Sequence, residues 1–293
     1  MNTGTLITGK TSLYGVIGYP VTHSLSPVMQ NAALQAGGID GIYLPFAVAP
    51  EKLSMAVDGL RALQVRGFNV TIPHKTAIMP FLDELAPTAQ EAGAVNTVVN
   101  DNGRLVGHTT AGEGLICSLQ RDLDVELPGT TVLLVGAGGA ARGALAALCR
   151  SGVRSVRVVN RTAAAAQTLT EQFQERFPAV ALHSCVFHDL APAVLGRCDL
   201  VINATSLGMH GEIIPGLDLA HLPDRATVYD MVYAPPVTPL LMQARSRGLQ
   251  AANGLGMLVA QGERGFQLWH GHQPTAGCMK TALTEYLSHL AKP

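Results

Sequence analysis

Charge of one sign, paired cysteines and membrane-length hydrophobic runs are all missing from this 293-residue sequence. Twenty Lys and Arg stand against 21 Asp and Glu, for a net charge of -1. A nucleic-acid surface needs a clustered basic excess, so nucleic acid is not an expected partner. No apolar run reaches the roughly 18 residues that span a bilayer, so no membrane is expected either. The opening stretch, MNTGTLITGKTSLYGVIGYP, has no basic segment followed by an unbroken apolar core, and no secretory leader is expected. Five cysteines occur: Cys117, Cys149, Cys185, Cys198 and Cys278. They are odd in number and form no C-x-x-C pair, which argues against a disulfide framework and a zinc knuckle. Reduced thiols acting as small core hydrophobes fit better, in a reducing compartment, most simply the cytoplasm. His270-Gly271-His272 has no third ligand at a suitable spacing, so no metal is expected.

Apolar residues are plentiful, at 47% against 14% charged, and predict a sizeable packed core. The length suits two domains. Strand and helix patterns alternate. Ser12–Gly18 reads as a strand, Ser26–Gln35 as a helix with Pro27 in its first turn, Ile42–Val48 as a strand and Pro50–Leu63 as a helix. Val65–Ile72 reads as a strand ending at Pro73, with a helix beginning there. Ala94–Asn100 and Arg104–Val106 flank the hairpin signal Asp101-Asn102-Gly103. Gly112–Asp122 is helical. A second series begins with the continuous apolar strand Thr131–Val135, the kind buried on both faces of a parallel sheet. Helix Ala140–Arg150, strand Ser155–Val159, helix Ala163–Phe177, strands at Val180–Cys185, Asp199–Ala204 and Thr227–Val232, and helix Thr238–Arg247 follow. This is a doubly wound α/β pattern. Two terminal helices, Gly256–Trp269 and Thr275–Leu290, have no strand between them and must pack elsewhere.

Gly136-Ala137-Gly138-Gly139-Ala140-Ala141 follows the apolar strand and opens a helix. In that setting G-x-G-x-x-A predicts a dinucleotide pyrophosphate seated on a helix N-terminus, where free N–H groups and the dipole favour anions. The next strand ends at Asn160-Arg161-Thr162, where an acid would accept from a ribose diol. No acid is present. Arg161 offers a fork suited to a 2′-phosphate, which favours NADP, with NAD not excluded. Alanines fill 163–166, so no second basic residue stands behind it.

The substrate side shows Gly18-Tyr19-Pro20-Val21-Thr22-His23-Ser24-Leu25-Ser26-Pro27, then Asn69-Val70-Thr71-Ile72-Pro73-His74-Lys75, then Ala94-Val95-Asn96-Thr97. The second half carries Asn203-Ala204-Thr205-Ser206-Leu207-Gly208-Met209, Tyr229-Asp230-Met231-Val232-Tyr233, Thr238-Pro239-Leu240-Leu241 and Gly254-Leu255-Gly256 through Gln261. Ser24, Ser26, Thr71, Asn96 and Gln261 are short neutral polar groups near turns or segment ends, suited to a polyhydroxylated ring acid. A lysine after a proline-ended strand can point into a cleft and exchange a proton with a reacting oxygen.

In order and spacing these motifs resemble the shikimate dehydrogenase family, which includes quinate/shikimate dehydrogenases, over residues 12–285. The resemblance implies that Ser24 and Ser26 bind a substrate carboxylate. Thr71, Asn96 and Gln261 would bind hydroxyls, and Lys75 would be the acid/base group. Tyr233 is expected beside nicotinamide or substrate. Thr205, Ser206, Met231 and Gly254 are expected on the cofactor side. The expected fold is an α/β substrate domain (1–111 with 255–293 returning to it) and a Rossmann-type domain (112–254). The active site is expected in the cleft between them. The expected partner is a small ring acid, and the state a monomer or homodimer.

One stretch departs from the family pattern. Gly107-His108-Thr109-Thr110-Ala111-Gly112-Glu113-Gly114 matches G-x-N-T-D-G-x-G except that Thr109 replaces asparagine and Ala111 replaces aspartate. That aspartate would pair with the lysine and accept from a substrate hydroxyl. Without it Lys75 loses a bias toward its charged form. Three readings stay open: a pocket tuned to another ring acid or cyclitol-like alcohol, an inactivated or purely ligand-binding relative, or a surrogate group such as Glu113 or His108. Two neighbouring changes point to natural divergence rather than a single point mutation.

Overall fold

The computed structural model describes residues 6–290. They form two compact units, 6–110 with 261–290 and 111–260. In chain order the elements are β1 (Ser12–Gly18), α1 (Ser26–Ala36), β2 (Gly41–Ala47), α2 (Leu53–Ala62), β3 (Gly67–Val70), β4 (Glu84–Leu85), α3 (Pro87–Ala92), β5 (Thr97–Asp101) and β6 (Arg104–His108). Then come α4 (Ala111–Leu123), β7 (Thr131–Val135), α5 (Gly139–Arg150), β8 (Ser155–Val159), α6 (Ala163–Arg176), β9 (Ala181–Cys185), α7 (Pro192–Leu195), β10 (Leu200–Asn203), β11 (Thr227–Asp230), α8 (Pro239–Ser246), β12 (Gln250–Asn253), α9 (Leu255–His270) and α10 (Cys278–Leu290).

The first unit holds a mixed six-stranded sheet in the order β2-β1-β3-β5-β6-β4. β1 runs parallel to β2 and β3, and β5 pairs antiparallel with β3 and β6. The β5–β6 hairpin turns where the dipeptide Asn102-Gly103 supplies two positive φ angles, 51° and 97°. Val57, Phe68, Ile78, Val98 and Leu105, all fully buried, lie in the core against this sheet. Gln30 on α1 donates its amide to the Gly262 carbonyl at 3.0 Å, and Trp269 donates to the Val98 carbonyl at 3.0 Å. These bonds fix the later part of α9 to α1 and β5.

The second unit is a fully parallel six-stranded sheet, β12-β11-β10-β7-β8-β9. The strand order reverses between β7 and β10, which makes their C-terminal ends a natural ligand crevice. The four consecutive residues Val132–Val135 are all fully buried, as a strand covered on both faces requires.

Four readings change. Lys75 does not sit on a helix: β3 stops at Val70, and residues 72–78 form successive turns that lead into a short 3-10 helix at Met79–Phe81. The chain passes between units at 260/261 rather than at 254/255. The first turn of α9 stays with the second unit because the Met257 N–H bonds the Tyr229 hydroxyl of β11 and Asn253 caps Leu255 N at 3.1 Å. β12 adds an edge strand where the sequence showed no strand pattern. Glu84–Leu85 and Pro87–Ala92 add a two-residue strand and a short helix.

Candidate active site

In the first unit, two irregular loops are stitched together at the C-terminal ends of β1 and β3. Tyr19 N–H donates to the Ile72 carbonyl and Thr71 N–H to the Ile17 carbonyl, each at 2.9 Å. His74, 1% exposed, donates Nε2–H to the Val48 carbonyl at 2.7 Å. Val95 N–H donates to the Lys75 carbonyl at 2.7 Å, which sets Lys75 beside the strand entry that carries Asn96. Lys75 as a whole residue is half-buried, yet its ammonium is crowded enough that desolvation lowers its pKa to about 8. Burial is the cause of that shift, and among the described residues no carboxylate opposes it.

The polar side chains here form one connected network. Asn96, 4% exposed, donates from Nδ2 to Gln261 Oε1 and to Thr110 Oγ1, both at 3.0 Å, and its Oδ1 accepts Thr110 N–H at 2.7 Å. Asn69 donates to the Asn96 carbonyl at 3.1 Å and to Thr97 Oγ1 at 3.0 Å. Its Oδ1 accepts the Tyr43 hydroxyl at 2.6 Å. The Tyr43 oxygen in turn accepts a hydrogen bond from the Ser26 side chain. Burial holds the Tyr43 phenol well above its ordinary pKa, so it stays protonated and donates. Ser26 N–H donates to Ser24 Oγ at 3.3 Å. Of the expected substrate residues, Ser24, Ser26, Asn96 and Gln261 are therefore joined directly or through this network, and Thr71 and Lys75 lie on the adjoining loop. The sequence reading missed Tyr43, Asn69, Thr97 and Thr110 as members. Asn69, Thr97 and Thr110 each stand inside one of the sequence motifs. Tyr43 stood in an apolar strand, and nothing local marked it.

In the second unit, Gly136 ends β7 with φ 111°, a left-handed backbone open to glycine. A Cβ there would stand 2.9 Å from Thr205 Cγ2, so only glycine lets this turn lie against the turn after β10. Gly138 caps α5 with no side-chain bond and has open space where a Cβ would go, while Gly139 and Ala140 form the first turn. Free helix N–H groups beside an open backbone cradle suit a diphosphate. Asn160 turns its amide to the Thr162 carbonyl at 3.1 Å, and Arg161 is exposed at the strand end. Ala137 and Met231 are half-buried, and Ser206 is exposed. Gly254 runs tight against the Met231 carbonyl, where a Cβ would clash. Tyr233 belongs to this unit and is half-buried.

Ala111 opens α4 and is 3% exposed, while Glu113 on the same helix is exposed and turned away from it. His270 and His272 pack on Phe266 with ring centroids at 4.2 and 5.8 Å, and no metal-holding group of His, Cys, Asp or Glu occurs among the described residues.

Three family models match successive parts of the chain. They are a shikimate dehydrogenase substrate binding domain over residues 16–98, shikimate/quinate 5-dehydrogenase over 118–223, and a shikimate 5′-dehydrogenase C-terminal domain over 254–284. The shikimate dehydrogenase (NADP(+)) of Citrifermentans bemidjiense is 50% identical, covering 98% of this chain and 99% of that one. That of Geobacter metallireducens is 51% identical over 94% of this chain and 96% of its own. The crystal structure of shikimate 5-dehydrogenase from Thermus thermophilus, solved with NADP(H) and shikimate, superposes with a TM-score of 0.83. It is 34% identical and covers 94% of this chain and 99% of that chain.

Proposed function

The chain belongs to the shikimate dehydrogenase family, and from that premise we propose that it interconverts shikimate, or a close ring acid, and the corresponding ketone with NADP. The observation that carries this reading is the full-length identity of about half to relatives bearing that activity in their names. The comparisons lend no support to the alternative of a catalytically impaired or non-catalytic relative.

NADP supplies the hydride acceptor at its nicotinamide. Every other task falls to side chains. Ser24 and Ser26 hold the ring carboxylate. Thr71, Asn96 and Gln261 bind ring hydroxyls, with Asn69 and Thr110 fixing how the Asn96 amide points. As the alcohol carbon gives up hydride, neutral Lys75 accepts the hydroxyl proton at Nζ, and in the reverse direction the ammonium returns it. Gly136, Ala137, Gly138, Gly139 and Ala140 cradle the pyrophosphate. Asn160, Arg161 and Thr162 face the adenosine ribose, where Arg161 matches a 2′-phosphate and no acid repels one. Thr205, Ser206, Met231, Tyr233 and Gly254 line the nicotinamide side.

Alanine stands at 111, where the family pattern has aspartate, and burial accounts for the lowered pKa of Lys75. A lysine near 8 is a competent base at mildly alkaline pH. We place the protein in the cytoplasm, as a monomer or homodimer. No helix among the described residues is long and apolar enough to cross a membrane.

The test is a panel of shikimate, quinate and related ring acids with NADP and with NAD, read by absorbance of reduced cofactor. Shikimate with NADP should turn over, and Lys75→Ala should lose about 100- to 10,000-fold in kcat. Silence across the panel, or a Lys75→Ala variant as fast as the parent, overturns the reading.

A further inference from the structure

Asp230 is a buried carboxylate with no task in the reaction. It ends β11, is 0% exposed, and no cation contributes to its electrostatics among the described residues. Burial raises its pKa, and three hydrogen bonds oppose that rise. Oδ1 accepts Asn203 Nδ2–H at 2.9 Å and Val232 N–H at 3.0 Å, and Oδ2 accepts the Thr238 hydroxyl at 2.6 Å. Asn203 and Thr238 are also 0% exposed.

The bonds continue outward from this point. Asn203 gives its other amide hydrogen to the Leu207 carbonyl at 2.9 Å, so the orientation of its amide is fixed. Its Oδ1 therefore faces the next turn and accepts Thr205 N–H at 3.0 Å and the Thr205 hydroxyl at 2.7 Å. Thr205 Oγ1 accepts Leu207 N–H at 3.1 Å. The Thr205 methyl is the atom nearest to where a Cβ on Gly136 would stand. On the other side, Thr238 Oγ1 caps α8 through Leu241 N–H at 3.4 Å. One carboxylate thus sets the turn 204–208, the segment 231–238 and, through Thr205, the backbone of the turn at Gly136.

We propose that Asp230 is a positioning residue for the cofactor, holding the Thr205 turn against Gly136 and the Met231–Tyr233 segment in place through Asn203 and Thr238. This rests on the reading that the second unit binds NADP. A carboxylate suits the role because it accepts on both oxygens at once, whereas an amide must turn a donor toward one of them.

The experiment uses the full-length protein with Asp230→Asn and Thr238→Val. The NADP dissociation constant is measured by titration calorimetry without ring acid, and KM for shikimate in turnover. Thr238→Val keeps the shape of the side chain and removes only the hydroxyl, so it decides the matter if Asp230→Asn does not fold. The expected result is an NADP dissociation constant raised about tenfold, with KM for shikimate within about twofold of the parent. A purely structural role would lower the melting temperature and the active fraction but leave NADP affinity at the parent value, and that outcome overturns the proposal. A parent protein that fails to bind NADP overturns the cofactor reading itself, and the proposal with it.

Discussion

Taking an ammonium ion out of water favours its neutral form, and Lys75 carries that effect down to about 8 from an ordinary 10.5. The direction of reaction then sets the sign of the pH dependence. Oxidation of the alcohol needs neutral Lys75, so kcat should climb as pH rises through about 8. Reduction of the ketone needs the ammonium and should fall over the same interval. Initial rates in both directions from about pH 6 to 10 check this, and a flat oxidation profile between about 7 and 9 sinks it. Stability follows the same proton. The folded chain holds it less tightly than the unfolded chain, so folding is penalised below about pH 8 and the penalty fades as pH rises toward 10.5. A Lys75→Met variant should therefore melt no lower than the parent at about pH 7 while losing turnover. Tyr43 gives a second prediction at this scale. Tyr43→Phe removes the 2.6 Å donor to Asn69 and the partner of Ser26 without changing shape. KM for shikimate should rise about fivefold, the worth of about one hydrogen bond, while KM for NADP stays put. Equal shifts in both constants would count against the network as the substrate's frame.

At the scale of elements, α4 and α5 meet where Gly112 leaves room for a backbone. A Cβ on Gly112 would lie 2.5 Å from the Gly143 carbonyl oxygen and 2.8 Å from Ala147 Cβ. Both neighbours are short and cannot swing aside. Gly112→Ala should cost about 1–3 kcal/mol, measured by urea unfolding, and an unchanged midpoint would contradict the close packing. Elements of this kind were legible in the sequence where one local rule decided them. The apolar run Thr131–Val135 and the Gly-rich turn after it announced their strand, turn and helix, and Asn102-Gly103 announced a hairpin. β4 was hidden because two residues, Glu84 and Leu85, become a strand only by pairing with Val106 and Gly107 across the fold. β12 was hidden because Gln-Ala-Ala-Asn has no β-branched residue, and its pairing with β11 supplies what propensity does not. The helix expected at Lys75 failed for a related reason. Distant carbonyls at Ile17 and Val48 bind this loop's Thr71 N–H and His74 ring, holding it as turns. Residues in motifs, such as Ser26, Asn96 and Gln261, could be named in advance. Tyr43 could not, because its role arises only when β2 is laid beside β1 and α1.

For the whole molecule, the chain folds as two units, each with its own buried core. A ligand that binds only the native state stabilises what it touches by mass action, about 2.7 kcal/mol at a concentration about 100 times its dissociation constant. The two ligands in the proposed reaction have their residues in different units, the pyrophosphate turn in the second and the polar network in the first. Hydrogen exchange resolves such protection segment by segment. NADP alone should slow exchange across 136–142, 204–208 and 231–238, and leave 19–27 and 71–76 near their free rates. Shikimate alone should do the reverse, with 94–97 also protected. Exchange followed by mass spectrometry at a large excess over each dissociation constant is sufficient. If NADP protected 19–27 but not 136–142, the assignment of the cofactor to the Gly136 turn would be wrong, whatever the turnover assays gave. If shikimate left 94–97 unprotected, the buried Asn96–Gln261 pair would be a structural bond and not the floor of the substrate site.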